Sequence, residues 1–164
     1  MTLPPPTLPA VLYSAPADLE ERVRTLEDRA HLTDLLDRFT YGLDTPGPLT
    51  EGWYRSLLTE NLRLNLPNGT HQGIDGLPGF MNDAKTKWAV TQHYATNCVI
   101  DIDPQGDQAS MRANVHAVHV PHGGPAPLFT GGAHYDVRAE RTPEGWRMAE
   151  LSVTVRWTSD GGHG

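Results

Sequence analysis

Residues 88–121, WAVTQHYATNCVIDIDPQGDQASMRANVHAVHVP, decide the architecture. Two long stretches rich in β-branched and aromatic side chains flank Asp103-Pro104-Gln105-Gly106-Asp107, a run of turn formers that folds one stretch back on the other. The spacing predicts strands over 88–102 and 108–121. Downstream, 130–141 and 145–157 read the same way, set apart by Gly123-Gly124-Pro125 and by Thr142-Pro143-Glu144-Gly145. Strands that succeed one another through short turns form an antiparallel meander.

Upstream the period becomes helical. Ser14 to Asp44 reads as one long helix: Ser14 suits the cap, Pro16 the first turn, and the acidic Asp18, Glu20 and Glu21 the positive end of the macrodipole. Leu19, Val23, Leu26, Ala30, Leu36, Phe39 and Leu43 recur at helical spacing and predict a buried stripe. Thr45-Pro46-Gly47 ends the helix, Leu49 to Leu58 reads as a short second one, and Leu62, Leu64 and Leu66 alternate with polar residues as a strand does before the Asn68-Gly69 turn. Ile74 to Lys87 reads as a third helix whose first turn is crowded by Gly76, Pro78 and Gly79. Helices first and strands afterwards predict an α+β fold, a curved antiparallel sheet packed on about three N-terminal helices.

A chain of 164 residues suits one domain and one core. The expected organisation is an N-terminal disordered arm over 1–13, a domain over 14–158 and a flexible tail over 159–164. The 13 Lys and Arg against 20 Asp and Glu leave a formal charge of −7, which opposes binding to a phosphate backbone. No stretch approaches the ~20 apolar residues of a membrane span, and no basic amphipathic run marks a membrane surface. The single cysteine, Cys98, excludes an internal disulfide and reads as inert packing in an apolar strand, so the cytoplasm is the expected compartment. A homo-oligomer is compatible with the class.

Asp44 breaks a local rule, because a carboxylate at a helix C-terminus faces the negative end of the macrodipole. Histidines recur in the strands: His93 in the first, His116, His119 and His122 at or beyond the second, His134 with Asp136 in the third. His116, Val118, Val120 and His122 share a parity that His119 does not, and His134 and Asp136 share one from which Tyr135 points away. Histidine titrates near working pH, and a carboxylate beside it fixes its tautomer, so an aspartate–histidine pair is the acid–base unit to expect. Metal ligation is the competing use of the same side chains, but the sequence carries no His-x-x-x-His helix and no His-x-His pair. No dinucleotide fingerprint, phosphate loop or nucleophile elbow is present, and the expected cofactor is none.

Leu26-Glu27-Asp28-Arg29-Ala30, Asp44, Thr91-Gln92-His93, Val120-Pro121-His122, Gly145-Trp146 and Arg156-Trp157, in that order, resemble the SnoaL-like proteins of the nuclear-transport-factor-2-like superfamily, and within it the scytalone dehydratases. The resemblance runs from about Leu19 to Trp157 and implies a cone-shaped fold. It implies catalytic roles for Asp44, His93 and His122, with Asp44 orienting His122 and His93 as its partner. It also implies a substrate pocket containing Phe39, Leu43, Leu66, Asn97, Val120, His134 and Asp136. The two dehydratase tyrosines fall at Leu43 and Leu66, which cannot donate a hydrogen bond, leaving Tyr41, Tyr54 and Tyr94 as substitutes, and the tail after Trp157 is shorter than the dehydratase's. The expected activity is that of a cofactor-independent lyase or isomerase, a dehydratase or polyketide cyclase of secondary metabolism, acting on a small apolar cyclic molecule. The alternative is a non-catalytic binding module on the same cone.

Overall fold

The structure, a computed structural model, describes residues 18–123 and 127–159. In chain order the elements are α1 (Leu19–Asp44), α2 (Glu51–Arg55), β1 (Leu58–Leu66), β2 (Gly69–Gln72), α3 (Leu77–Lys85), β3 (Val90–Ile102), β4 (Gln108–Val120), β5 (Phe129–Thr142) and β6 (Gly145–Ser159). One sheet of order β2-β1-β6-β5-β4-β3 contains all the strands. The predicted meander forms β3 to β6 and is antiparallel throughout, whereas β1 joins β6 in parallel, so the sheet is mixed. Register shifts at 96/99, 132/133 and 138/139 bend the long strands, since a bulge adds local twist, and the sheet curls around α1. Asn97 sits in the first bulge with φ 53, a left-handed conformation that asparagine tolerates better than most residues. The fold is the nuclear-transport-factor-2-like cone, α+β as the sequence predicts.

The cap of α1 differs from the expected one. Asp18 accepts a hydrogen bond from the Glu21 amide (2.9 Å), while Ser14 and Pro16 lie outside the described residues, as do the arm over 1–13 and the tail from 160 onward. The predicted apolar stripe is half right. Leu36 and Phe39 are buried beside Leu32 and Leu35, but Leu19, Val23 and Leu26 stand in solvent. The helix packs on β3 and β6, and Asp28 is its first buried residue. The second and third helices are shorter than expected because Leu58 is already in the sheet and Gly76, at φ 74, starts α3 late, with Pro78 in its first turn.

Asp28 fastens the first end of this packing. Its carboxylate is buried and accepts from Arg141 Nη2 (2.6 Å) and from the Trp146 indole (2.9 Å), while the guanidinium of Arg141 lies over the Trp146 ring (4.5 Å). Burial alone would raise the Asp28 carboxyl, but these two hydrogen bonds and the Arg141 charge outweigh it and hold the group below its ordinary value. Asp28→Ala would leave the buried indole N–H without its acceptor and Arg141 with only the Gly106 carbonyl, and should cost about 2 kcal/mol in denaturant unfolding. Because the folded-state carboxyl titrates low, its stabilisation is present above about pH 4 and is lost as pH falls through the depressed value. Acid unfolding of Asp28→Asn should therefore be less steep than that of the wild type.

Gly42 fastens the other end. A methyl group there would collide with the Trp53 indole, which packs directly on the helix backbone. Gly42→Ala, a change worth ~1 kcal/mol of added stability in an open helix, should instead lower the melting temperature.

Candidate functional site

Asp44 closes α1, and the last turn of that helix contains no basic residue. The awkward carboxylate is satisfied from β3. Thr91 Oγ1 donates to Oδ1 (2.9 Å), the His93 backbone amide donates to Oδ2 (2.7 Å), and His93 Nδ1 lies 2.6 Å from Oδ1. A carboxylate accepts, so the ring proton belongs on Nδ1 and the Nε2 lone pair is left free. The pair is sheltered but not sealed, with 23% of the Asp44 side chain and 11% of the His93 side chain exposed.

Strand register then decides what faces this pair. Thr91 lies opposite His119 and His93 opposite Ala117, so Thr91, His93 and His119 share the inner face of the sheet. The His119 ring meets His93 edge-on at 5.5 Å and is packed by Trp88 (4.9 Å) and Phe129 (5.6 Å), which themselves stack at 5.7 Å. Its Nδ1 is buried without a hydrogen-bond partner. Burial, helped by the neighbouring His93 charge, lowers the His119 titration against the opposing influence of the Phe129 backbone and Asp44, which favours the neutral ring. A cleft of about 450 Å³ opens beside Asp44, lined among others by Leu43, Lys85, Thr86, Trp88 and Thr91.

The chain belongs to the SnoaL-like family. The family's model, described as a SnoaL-like domain, matches residues 24–152. No curated protein matches the chain in sequence. Among solved structures it is similar to a proposed scytalone dehydratase of Novosphingobium aromaticivorans (20% identity, TM-score 0.72, 83% of this chain and 89% of that one). It is also similar to the hexachlorocyclohexane dehydrochlorinase LinA-type3 of Novosphingobium barchaimii (21% identity, TM-score 0.72, 84% and 92%). A nuclear-transport-factor-2-like superfamily protein of Salmonella enterica aligns at 15% identity and TM-score 0.70 over 85% of this chain and 99% of that one.

Within this SnoaL-like cone the expected residues separate. Asp44 and His93 meet, but the predicted Asp44–His122 contact does not form: His122 lies beyond the end of β4, is exposed, and has its Nε2 3.0 Å from the Thr86 carbonyl oxygen. Val120 pairs with Val90 and Val118 with Gln92, which puts their shared parity on the outer face. His134 and Asp136 lie opposite Asn114 and Arg112 on that same face, and Asp136 is ion-paired to Arg112 (2.6 Å). Phe39 is core, Leu66 packs against the core, Leu43 lines the cleft, and Asn97 is an exposed bulge residue. The substitute tyrosines also fail to reach the pair: Tyr41 and Tyr94 are exposed, and Tyr54 is fully buried with an unpartnered hydroxyl.

His119 and Tyr135, on the opposite parity to the residues the resemblance puts in the pocket, both face inward. Tyr135 is buried, and burial together with the Asp44 charge raises its phenol, which therefore stays protonated. A groove of about 290 Å³ on the outer face holds Arg112, Asp136, Arg138 and Glu150, whose charges are paired with one another. Among the described residues no three His, Cys, Asp or Glu side chains gather as metal ligands would, and no helix is long and apolar enough to cross a membrane. Titration of the imidazole carbon-bound protons by NMR should place His119 below an ordinary histidine. Replacing His93 by Gln removes a like charge and should move that midpoint upward.

Proposed function

We propose that this SnoaL-like protein is a cofactor-independent acid–base enzyme in which His93, oriented by Asp44, moves a proton on a small, largely apolar cyclic or polyketide-like substrate. The observation that carries the reading is the sheltered Asp44 carboxylate, which is bonded both to the His93 amide and to its ring. Ionisable groups are costly to shelter, and a passive apolar pocket has no use for a paired set. Asp44 keeps the proton on Nδ1, so Nε2 takes a proton from a substrate C–H bond. Those bonding electrons form a new C=C bond as the leaving group departs with its own electron pair. A departing hydroxyl that takes up the proton held by His93 leaves as water and would make the enzyme a dehydratase; on a substrate without a leaving group the electrons delocalise instead, and return of the proton to another carbon would make it an isomerase. In this reading neutral His119, beside His93 on the inner face, would hand on or receive the second proton, and the protonated Tyr135 phenol would donate to a substrate oxygen. Two structural neighbours named as a dehydratase and a dehydrochlorinase carry eliminations in their names, which supports this class.

Leu43 and Leu66, where the dehydratases have tyrosines, favour a second reading as a small-molecule-binding module. The two separate on a panel of small cyclic β-hydroxy and β-halo carbonyl compounds incubated in D2O and followed by NMR. The enzyme reading expects elimination or deuterium incorporation in at least one of them, lowered by about 10²–10⁴-fold in His93→Ala and in Asp44→Asn. His122→Ala should remain near wild type. Chelator dialysis should leave the rate unchanged. Turnover that survives His93→Ala would remove His93 from the chemistry, and binding without turnover across the panel would favour the module.

A further inference from the structure

We propose that Lys85 is the positioning residue of the Asp44–His93 pair: from α3 its ammonium group ties down the C-terminal end of α1 and so holds the Asp44 carboxylate on the His93 ring. The inference rests on the acid–base reading above and adds to it the group that holds the pair in place.

Lys85 Nζ donates to the carbonyl oxygens of Gly42 (2.9 Å) and Thr45 (2.7 Å), which bracket Asp44 in the chain. These are orphan carbonyls of a helix end, where the dipole amounts to roughly half a negative charge. The last turn of α1 supplies no cation of its own, so the compensation comes from another element. Two of the three ammonium N–H bonds go to those carbonyls, which fixes the charge beside the Asp44 carboxylate. The coupling is visible in Lys85 itself: partial burial lowers its titration and the Asp44 charge raises it.

The consequence is positional. Asp44 is the last residue of α1, and the two carbonyls that Lys85 holds lie on either side of it. Without Lys85 that turn loses its tie to α3, and the 2.6 Å contact between Asp44 Oδ1 and His93 Nδ1 loses the clamp that aims the carboxylate.

Long-range 1H–15N spectra of the histidine rings test this on the full chain without any substrate. Lys85→Met retains much of the apolar stem, and it should loosen the His93 Nδ1–H bond to Asp44, read as an upfield shift of that ring proton. Lys85→Arg, which keeps charge and donors, should return the spectrum to wild type. Lys85→Gln, uncharged and on a shorter stem, cannot hold both carbonyls; it should behave as Lys85→Met does and serves in its place if that variant does not fold. Uncharged variants that match wild type while Asp44→Asn perturbs His93 would overturn the role of Lys85 and leave the pair standing. An Asp44→Asn spectrum identical to wild type would overturn the pair and the acid–base reading with it.

Discussion

The Asp44 carboxylate is the joint on which the inner half of the cone depends. A negative group at the end of a 26-residue helix is unfavourable unless something else satisfies it. Here β3 does so with a hydroxyl, an amide and an imidazole, while α3 neutralises the adjacent carbonyls through Lys85. One side chain thus fixes where α1 stops, where β3 begins its inward alternation, and which tautomer His93 holds. Trp53, seated against the bare backbone of Gly42, completes the junction by packing rather than by charge.

At the other end of the contact, Asp28 does for the base of the cone what Asp44 does for its mouth. It gathers Arg141 and Trp146 from β5 and β6, so α1 is fastened to the sheet by a carboxylate at each extremity, buried at Asp28 and half-buried at Asp44, and by Leu32, Leu35, Leu36 and Phe39 between them. The two carboxylates differ in what surrounds them. Asp28 faces a guanidinium and an indole, permanent donors that leave no basic lone pair. Asp44 faces an imidazole, whose second nitrogen is a base. The same fastening device meets fixed donors in the first place and an imidazole in the second.

The two faces of the sheet divide the polar residues by purpose. The inner face gathers Thr91, His93, His119 and Tyr135 near Asp44 beneath the rings of Trp88 and Phe129. On the outer face Arg112 is paired with Asp136, and the His116 ring lies between Tyr94 and Trp157. Burial and mutual repulsion keep His119 neutral on the inside, where protonation would place two imidazolium rings edge to edge.

The sequence by itself determined the elements and the types of residue that matter. Turn clusters such as Asp103-Pro104-Gln105-Gly106-Asp107 punctuate the meander whatever the tertiary context, because their backbone preferences are local, and Asp44 was already conspicuous as a breach of the helix-dipole rule. Period-two alternation also sorted the strand residues into two sets, with His93 in one strand and His119, apart from His116 and Val120, in the next. Which set faces the helix was decided only by the tertiary structure, since alternation defines parity but not its sign, and the sign depends on register across β3 and β4. His122 and Asp136 therefore left the expected site while His119 and Tyr135 entered it. The partner of Asp44 was likewise beyond local reading, because a side-chain hydrogen bond between residues 49 positions apart exists only once the end of α1 has been laid over the start of β3.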